Sequence, residues 1–215
     1  ALAFDHAVGL EKHVERVVPS SLTDVHGVLR TLTEEGVQAA LFVGKFWKQR
    51  VFDKVEETDE AGLRIARGGL SDEALATMVL TTLAGMGIEV LDQRPFLSSW
   101  MMESGTLTSR APSPAEWEEI RAGFSLARQI AGHGIGQTVV RSRGVTLAVE
   151  AAEGTDETIR RGGRLAGRGA VVIKAVAVEH DFRFDVPTVG AGTLETMAEC
   201  GATALAVDGG KMLLV

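Results

Sequence analysis

Short apolar runs alternate with segments of helical periodicity through the first half of the chain. Apolar residues at helical spacing, such as Val25, Val28 and Leu32, predict amphipathic helices. The predicted strands are residues 13–18, 37–43 and 88–91, and the predicted helices are residues 22–35, 58–67 and 71–86. This β-α-β-α-α-β order predicts a mainly parallel sheet with helices on its faces, as in α/β domains.

Residues 92–114 interrupt that pattern with Pro95, Pro112 and Pro114 and with Gly105. Clusters of proline and glycine between periodic segments are typical of junctions between domains. We therefore predict two domains, residues 1–94 and residues 95–215.

The second half has a different order of elements. Ser113, Pro114 and Glu116 form the signature of a capped helix start, and the helix is predicted to run to about residue 131. Further predicted helices are residues 155–165 and 193–199, and the strongest strand is residues 170–178. Two hairpins are predicted, one joining 137–141 to 145–150 and one joining 203–207 to 211–215. Hairpins among helices predict a mixed sheet, so this domain is α/β or α+β.

Composition excludes several classes of function. The 22 Lys and Arg residues stand against 29 Asp and Glu, a net charge of −7, and this argues against the basic footprint of nucleic-acid binding. Cys200 is the only cysteine, so neither an intrachain disulfide nor a cysteine zinc cluster is expected. No stretch approaches the ~18 apolar residues of a membrane span.

Acidic residues are concentrated at 150–157, where a predicted strand ends and a helix begins. Glu150, Glu153, Asp156 and Glu157 lie there around Gly154 and Thr155. Ligands of α/β sheets gather at such positions, and carboxylates beside a phosphate need a bridging cation such as Mg²⁺. The alternative is an acidic first turn that complements the helix dipole.

A second patch, residues 180–190, contains Asp181 and Asp185. In a flat strand these carboxylates would lie ~13 Å apart, too far to share a metal ion, whereas a turn would bring them together. Arg183 between them either contacts an anionic ligand or neutralises the two aspartates. Lys174, inside an apolar strand, needs a carboxylate or phosphate partner unless it reaches solvent.

Two weaker candidates lie in the first half. Lys45 follows a predicted strand and could touch a phosphate, although a solvated lysine is the plainer interpretation. Asp72 follows two glycines at a predicted helix start and is either a ligand contact or a first-turn acid.

Several of these motifs occur together in one known family. The segment EGTDE at 153–157, the strand that carries Lys174, and the motif D-x-R-F-D-x-P-T at 181–188 resemble the LpxI family closely. The resemblance is looser in the first half. It implies an α/β protein with two domains, an N-terminal Rossmann-like parallel-sheet domain and a C-terminal catalytic domain with a mixed sheet. Family members begin with a glycine-rich strand–turn–helix that this chain lacks, so its N-terminal domain is expected to be incomplete.

The resemblance also implies an activity. Family members are UDP-2,3-diacylglucosamine pyrophosphatases of lipid A biosynthesis, which use Mg²⁺ (Mn²⁺ as a substitute) to release UMP and 2,3-diacylglucosamine 1-phosphate. Carried over to this sequence, it assigns residues in three groups. The catalytic residues are Asp185, Asp181 and Glu153, the substrate-binding residues are Lys174, Arg183, Thr155, Gln137, Thr188, Lys45 and Asp72, and the metal ligands are Asp185, Asp156 and Glu157.

The expected partner is a UDP-linked glycolipid, met in the cytoplasm at the inner membrane of a Gram-negative bacterium, and no nucleic acid is expected. The oligomeric state is left open between monomer and homodimer. Two other functions stay open on the residues alone: a module that binds a sugar nucleotide or glycolipid phosphate without cleaving it, and an assembly protein with incidental acid clusters.

Overall fold

The structure is a computed structural model that describes residues 1–4, 9–21, 24–44 and 72–215. It divides into two compact units, Ala1–Leu91 and Asp92–Val215. Both units mix helices with strands, and the α/β class predicted from the sequence is confirmed. The domain boundary predicted after Arg94 stays a prediction.

The first unit pairs short parallel strands beside helices. The strands are β1 (Leu2–Ala3), β2 (Val18–Pro19), β3 (Ala39–Ala40) and β4 (Glu89–Val90), and the helices are α1 (Val25–Glu34) and α2 (Asp72–Gly85). β1 pairs with β2 and β3 pairs with β4, in both cases in parallel. The side chain of Asp24 caps α1 by accepting a hydrogen bond from the Gly27 backbone N–H at 2.8 Å.

One predicted strand in this unit is wrong and one predicted helix lies outside the described residues. Residues 13–18 do not form a strand, because a short 3-10 helix, Leu10–Lys12, and a turn occupy the start of that region and β2 begins only at Val18. The helix predicted at residues 58–67 lies outside the described residues.

A four-stranded mixed sheet forms the centre of the second unit. Its strands are β5 (Thr138–Ser142), β6 (Val145–Val149), β7 (Ala170–Lys174) and β9 (Ala202–Val207), in the spatial order β6-β5-β7-β9. β5 is antiparallel to β6 and β7, whereas β7 and β9 are parallel. The predicted first hairpin is confirmed, and its turn places Arg143 and Gly144 at φ of 53° and 78°.

The predicted second hairpin is wrong. β9 pairs with β7, and β10 (Leu213–Leu214) instead pairs in parallel with β8 (Thr188–Val189) in a separate two-stranded sheet. Residues 208–210 do not close a hairpin because their polar groups bond elsewhere. The Asp208 carboxylate accepts hydrogen bonds from Arg128 at 2.6 Å and from the Val176 backbone N–H at 3.1 Å.

Three helices cover the two faces of the central sheet. They are α3 (Pro114–Gly132), α4 (Thr155–Ala166) and α5 (Ala191–Glu199). The capping box predicted at the start of α3 is present, with Ser113 and Glu116 each bonding the other's backbone N–H.

Alternate residues of β7 point to opposite faces of the sheet. Ile173 packs with Ile120 of α3 in one core cluster, while Val172 packs with Ile159 of α4 and Met197 of α5 in another. β7 is buried along its whole length, and residues 175–187 follow its carboxyl end.

Candidate active site at the end of strand β7

Residues 175–187 leave the sheet after β7 and fold into turns. The strand was predicted to continue to residue 178, but it ends at Lys174. The Ala175 N–H still donates to the Gln137 carbonyl at 2.9 Å, in register with the β5–β7 pairing, whereas the Val176 N–H donates to the Asp208 carboxylate instead of a strand. Residues 182–184 form a turn, so of the two geometries that the sequence left open for Asp181 and Asp185 the structure has the turn.

A third core cluster holds this segment in place. Phe182 and Val186 are buried against Val176, Met212 and Val189. Arg183 and Asp185 are exposed and Asp181 is half-buried, so the charged groups of the motif face away from this core.

Asp181 and Arg183 bind each other within one turn. The Asp181 Oδ1 atom accepts hydrogen bonds from the Arg183 backbone N–H at 3.0 Å and from Arg183 Nε at 2.9 Å, and Oδ2 accepts from Nη2 at 2.6 Å. The guanidinium holds the pKa of Asp181 below its ordinary value, mainly through these hydrogen bonds. Asp181 is therefore a carboxylate at neutral pH and is suited to orienting Arg183 rather than to donating a proton.

Asp185 follows on the exposed side of the segment. Its backbone carbonyl lies 3.0 Å from Nε2 of His180, a contact that closes the turn across five residues. Asp185 is thus placed next to Asp181 and Arg183 along the same folded segment.

Lys174 connects β7 to the start of α4. Its side chain is 9% exposed, and Nζ lies 3.1 Å from the Thr188 carbonyl oxygen and 3.4 Å from the Thr155 hydroxyl. The Thr155 hydroxyl in turn donates to Glu150 at 3.0 Å, and Glu150 accepts from the Gln137 backbone N–H at 3.2 Å. Four of the predicted substrate-binding residues, Lys174, Thr155, Thr188 and Gln137, are therefore joined in one network.

Each carboxylate at the start of α4 has a hydrogen-bond or ion-pair partner within the second unit. Glu153 accepts hydrogen bonds from its own backbone N–H and from Thr158, and these lower its pKa. Asp156 lies 3.4 Å from the hydroxyl of Thr193, and Glu157 forms an ion pair with Arg160 at 2.6 Å.

No preformed metal cage is found in the part of the chain that the structure describes. There, no three His, Cys, Asp or Glu side chains lie together as ligands of one ion. The predicted ligands Asp185, Asp156 and Glu157 are not gathered in this way, and their assignment as metal ligands stays a prediction. A Mg²⁺ ion that arrives with a pyrophosphate needs only one or two carboxylates, because phosphate oxygens and water complete its shell. The exposed carboxylate residue Asp185 fits that mode of binding.

One set of residues at this site was not predicted. Asp92 and Arg94, which lie in the predicted domain junction, line a pocket of roughly 410 Å³ together with Asp181 and Arg183. The signal that could have found them is the shared spacing, since Asp92-x-Arg94 repeats Asp181-x-Arg183.

Comparison with known proteins decides the family. The LpxI N-terminal domain matches residues 2–100, and the LpxI C-terminal domain matches residues 103–215. The chain belongs to the LpxI family. It is similar to the UDP-2,3-diacylglucosamine pyrophosphatase LpxI of Caulobacter vibrioides, with 30% identity over 203 residues that cover 87% of this chain and 71% of that protein.

The remaining predicted residues of this LpxI-family chain lie in the first unit. Lys45 is outside the described residues. Asp72 begins α2, as predicted for a residue at a helix start, and the structure describes its backbone only. Across the described residues, 1–4, 9–21, 24–44 and 72–215, no helix is both long enough and apolar enough to cross a membrane.

Proposed function

We propose that this chain hydrolyses the pyrophosphate bond of UDP-2,3-diacylglucosamine, giving UMP and 2,3-diacylglucosamine 1-phosphate. The observation that carries the proposal is the match to both LpxI domains along nearly the whole chain. The Caulobacter vibrioides relative has this activity by name.

Lys174 and the first turn of α4 are the proposed pyrophosphate contacts. The backbone N–H groups of the first turn of a helix have no partner within the helix, and the helix dipole favours an anion at that end. The ammonium of Lys174 lies 3.4 Å from Thr155, the first residue of α4, and adds a positive charge there. Gln137 and Thr188, which join this network through their backbone N–H and carbonyl groups, are the other proposed substrate contacts.

Asp185 is the proposed catalytic carboxylate. It is exposed, and it lies in the same folded segment as Asp181 and Arg183. Asp181 orients Arg183, Glu153 binds Arg161 at 2.5 Å and Thr158, and we assign these two carboxylates supporting roles. In this scheme Asp185 orients the attacking water, and Arg183 offsets negative charge on the pyrophosphate.

A divalent cation, Mg²⁺ with Mn²⁺ as a substitute, is part of the proposal. Asp185 would supply a carboxylate ligand, with phosphate oxygens of the substrate and water completing the shell. Asp156 and Glu157 at the start of α4 are further proposed ligands, although among the described residues they do not form one three-ligand group with Asp185. When bound, the cation would neutralise charge on the phosphate oxygens and polarise the phosphorus that is attacked. Because the substrate carries two acyl chains, we also propose that the reaction takes place at the cytoplasmic face of the inner membrane, with the protein in peripheral contact.

The test is product analysis with the chain as it stands. We expect UMP release from UDP-2,3-diacylglucosamine in mixed micelles, and we expect it to depend on Mg²⁺. The proposed attack of water is on the sugar-side phosphorus, so in H₂¹⁸O the label should enter the sugar phosphate. Asp185→Asn should reduce the rate by about 10²-fold or more. Glu118→Gln, at an exposed position of α3, is the control and should keep the wild-type rate.

Two results would contradict the proposal. One is the absence of UMP although the substrate binds, which would favour a non-hydrolysing binding module. The other is full activity of Asp185→Asn.

A further inference from the structure

The pocket beside Asp181 is built from two turns of the same kind. In the first, the Asp92 Oδ1 atom accepts from the Arg94 backbone N–H at 2.8 Å, and the carboxylate also binds the Arg94 guanidinium, with Nη2 at 2.5 Å. In the second, Asp181 binds the backbone N–H and the guanidinium of Arg183 in the same way. Each guanidinium is therefore fixed by the aspartate two residues before it.

The two turns meet at Phe182. The Arg94 guanidinium carbon lies 4.0 Å from the centroid of the Phe182 ring, which is a cation–π contact. The Gln93 backbone N–H donates to the Phe182 carbonyl oxygen at 3.2 Å. Arg94 thus holds the ring of Phe182, and Gln93 holds its backbone.

Phe182 is joined through the backbone to both Asp181 and Arg183, so a displacement of Phe182 would move both residues. It lies between Asp181 and Arg183 in the sequence and is 9% exposed. The ring of His180 packs edge-on against it, with centroids 4.7 Å apart and an interplanar angle of 71°. Any shift of Phe182 must therefore carry Asp181 and Arg183 with it and change the surroundings of His180.

We propose that Arg94 is a positioning residue, which acts through Phe182 to hold Asp181 and Arg183 in their working geometry. This inference rests on the proposed function for its consequence in catalysis, whereas the positioning itself can be measured without any substrate. Asp92 contributes to this positioning because its carboxylate fixes the plane of the Arg94 guanidinium.

Kinetics of Arg94→Ala are the first test. We expect kcat to fall by about ten- to a hundredfold, because a misplacement of about 1 Å in an active site has effects of this size, and KM to change by less than about twofold. Arg94→Lys should recover part of the loss, since it keeps a cation for the ring but loses the bidentate bond to Asp92. Arg110→Ala is the matched control because it removes an Arg–carboxylate pair of the same unit, with Glu116, that does not line the pocket.

A double variant separates action through Phe182 from direct contact with the substrate. In the Phe182→Leu background, Arg94→Ala should lower kcat by less than about twofold further, because the group it acts through is already gone. An additive loss in the double variant, a rise in KM with unchanged kcat, or unchanged kinetics of Arg94→Ala would each overturn the inference.

The second test needs no activity. The ring-proton resonances of His180, assigned by loss in His180→Gln, sense the ring current of Phe182. We expect Arg94→Ala to shift these resonances and Arg110→Ala to leave them in place. If the wild-type chain releases no UMP, the proposed function fails but this measurement still decides the inference. Unmoved His180 resonances in Arg94→Ala would overturn it.

Discussion

The Glu116 carboxylate connects the start of α3 to Arg110 and, through Arg110, to strand β9. It closes the capping box of α3 on Ser113 and binds both terminal nitrogens of Arg110 at 2.8 and 3.0 Å. Arg110 also donates to the carbonyl of Thr203 in β9. Glu116→Gln keeps an oxygen that can accept from the Ser113 N–H but removes the charge that binds Arg110.

The size of the effect follows from the pKa of Glu116. Hydrogen bonds from Arg110, more than any other interaction, lower this pKa from 4.5 to about 2 in the folded chain. A shift of that size corresponds to at most about 3 kcal/mol of stability. Because the Arg110 side chain is 55% exposed, solvent screens the pair, and we expect Glu116→Gln to lose only about 1 kcal/mol near neutral pH.

The stability difference between wild type and Glu116→Gln should depend on pH, and its direction follows from the two pKa values of Glu116. As the pH falls, the unfolded chain protonates Glu116 near 4.5, whereas the folded chain keeps it charged until about 2. The stabilisation is therefore complete above pH 4.5 and is lost progressively between 4.5 and about 2, where wild type and Glu116→Gln should become equally stable.

Urea unfolding measures this difference. Trp100 and Trp117 both lie in the second unit, so the fluorescence reports its unfolding in a Trp47→Phe background, which removes the third tryptophan. Glu118→Gln, an exposed change two residues further along α3, should match wild type at every pH. A wild-type advantage over Glu116→Gln that is the same near neutral pH and at about pH 2 would refute the reasoning.

Two further predictions concern packing and charge in the core. Gly162→Ala should cost about 1–3 kcal/mol in thermal unfolding, because its new Cβ would lie 2.5 Å from the Val140 side chain, whereas Gly132→Ala, with nothing within 4 Å, should be neutral or slightly stabilising. Arg141→Met should cost about 3 kcal/mol in urea unfolding, because it leaves Glu119 buried without its 3.0 Å ion-pair partner; a loss below about 1 kcal/mol would contradict this.

Local signals were sufficient to predict much of the second unit. The capping residues Ser113 and Glu116 define the start of α3, and Ser142-Arg143-Gly144 defines the β5–β6 turn, because both structures depend on residues a few positions apart. The prediction of the second hairpin was wrong because the structure there depends on distant residues. Residues 208–210 have the composition of a turn, but Asp208 accepts hydrogen bonds from Arg128 and Val176, which are distant in the sequence.

The residues of the candidate site likewise divide into those that local sequence signals reveal and those that depend on long-range contacts. Asp181, Asp185 and Lys174 stand out in the sequence because charged residues are unusual inside or beside apolar strands. Arg94 is less evident: the D-x-R spacing that it shares with Asp181 and Arg183 is a local signal, but its contact with Phe182, 88 residues further along the chain, is encoded by no local pattern. The turn geometry of Asp181 was likewise beyond the sequence, since Arg183 can pair with it only once the segment leaves the sheet.

The anchoring of residues 175–187 also has a consequence for the order of folding. The β5–β6 hairpin joins neighbouring residues and can form early, whereas Asp208 reaches Val176 across 32 residues and β10 must pair with β8. A nascent chain can therefore contain Asp181 and Asp185 before it contains the residues that hold them. We therefore expect the site to assemble late in the folding of this unit, after the local helices and the β5–β6 hairpin.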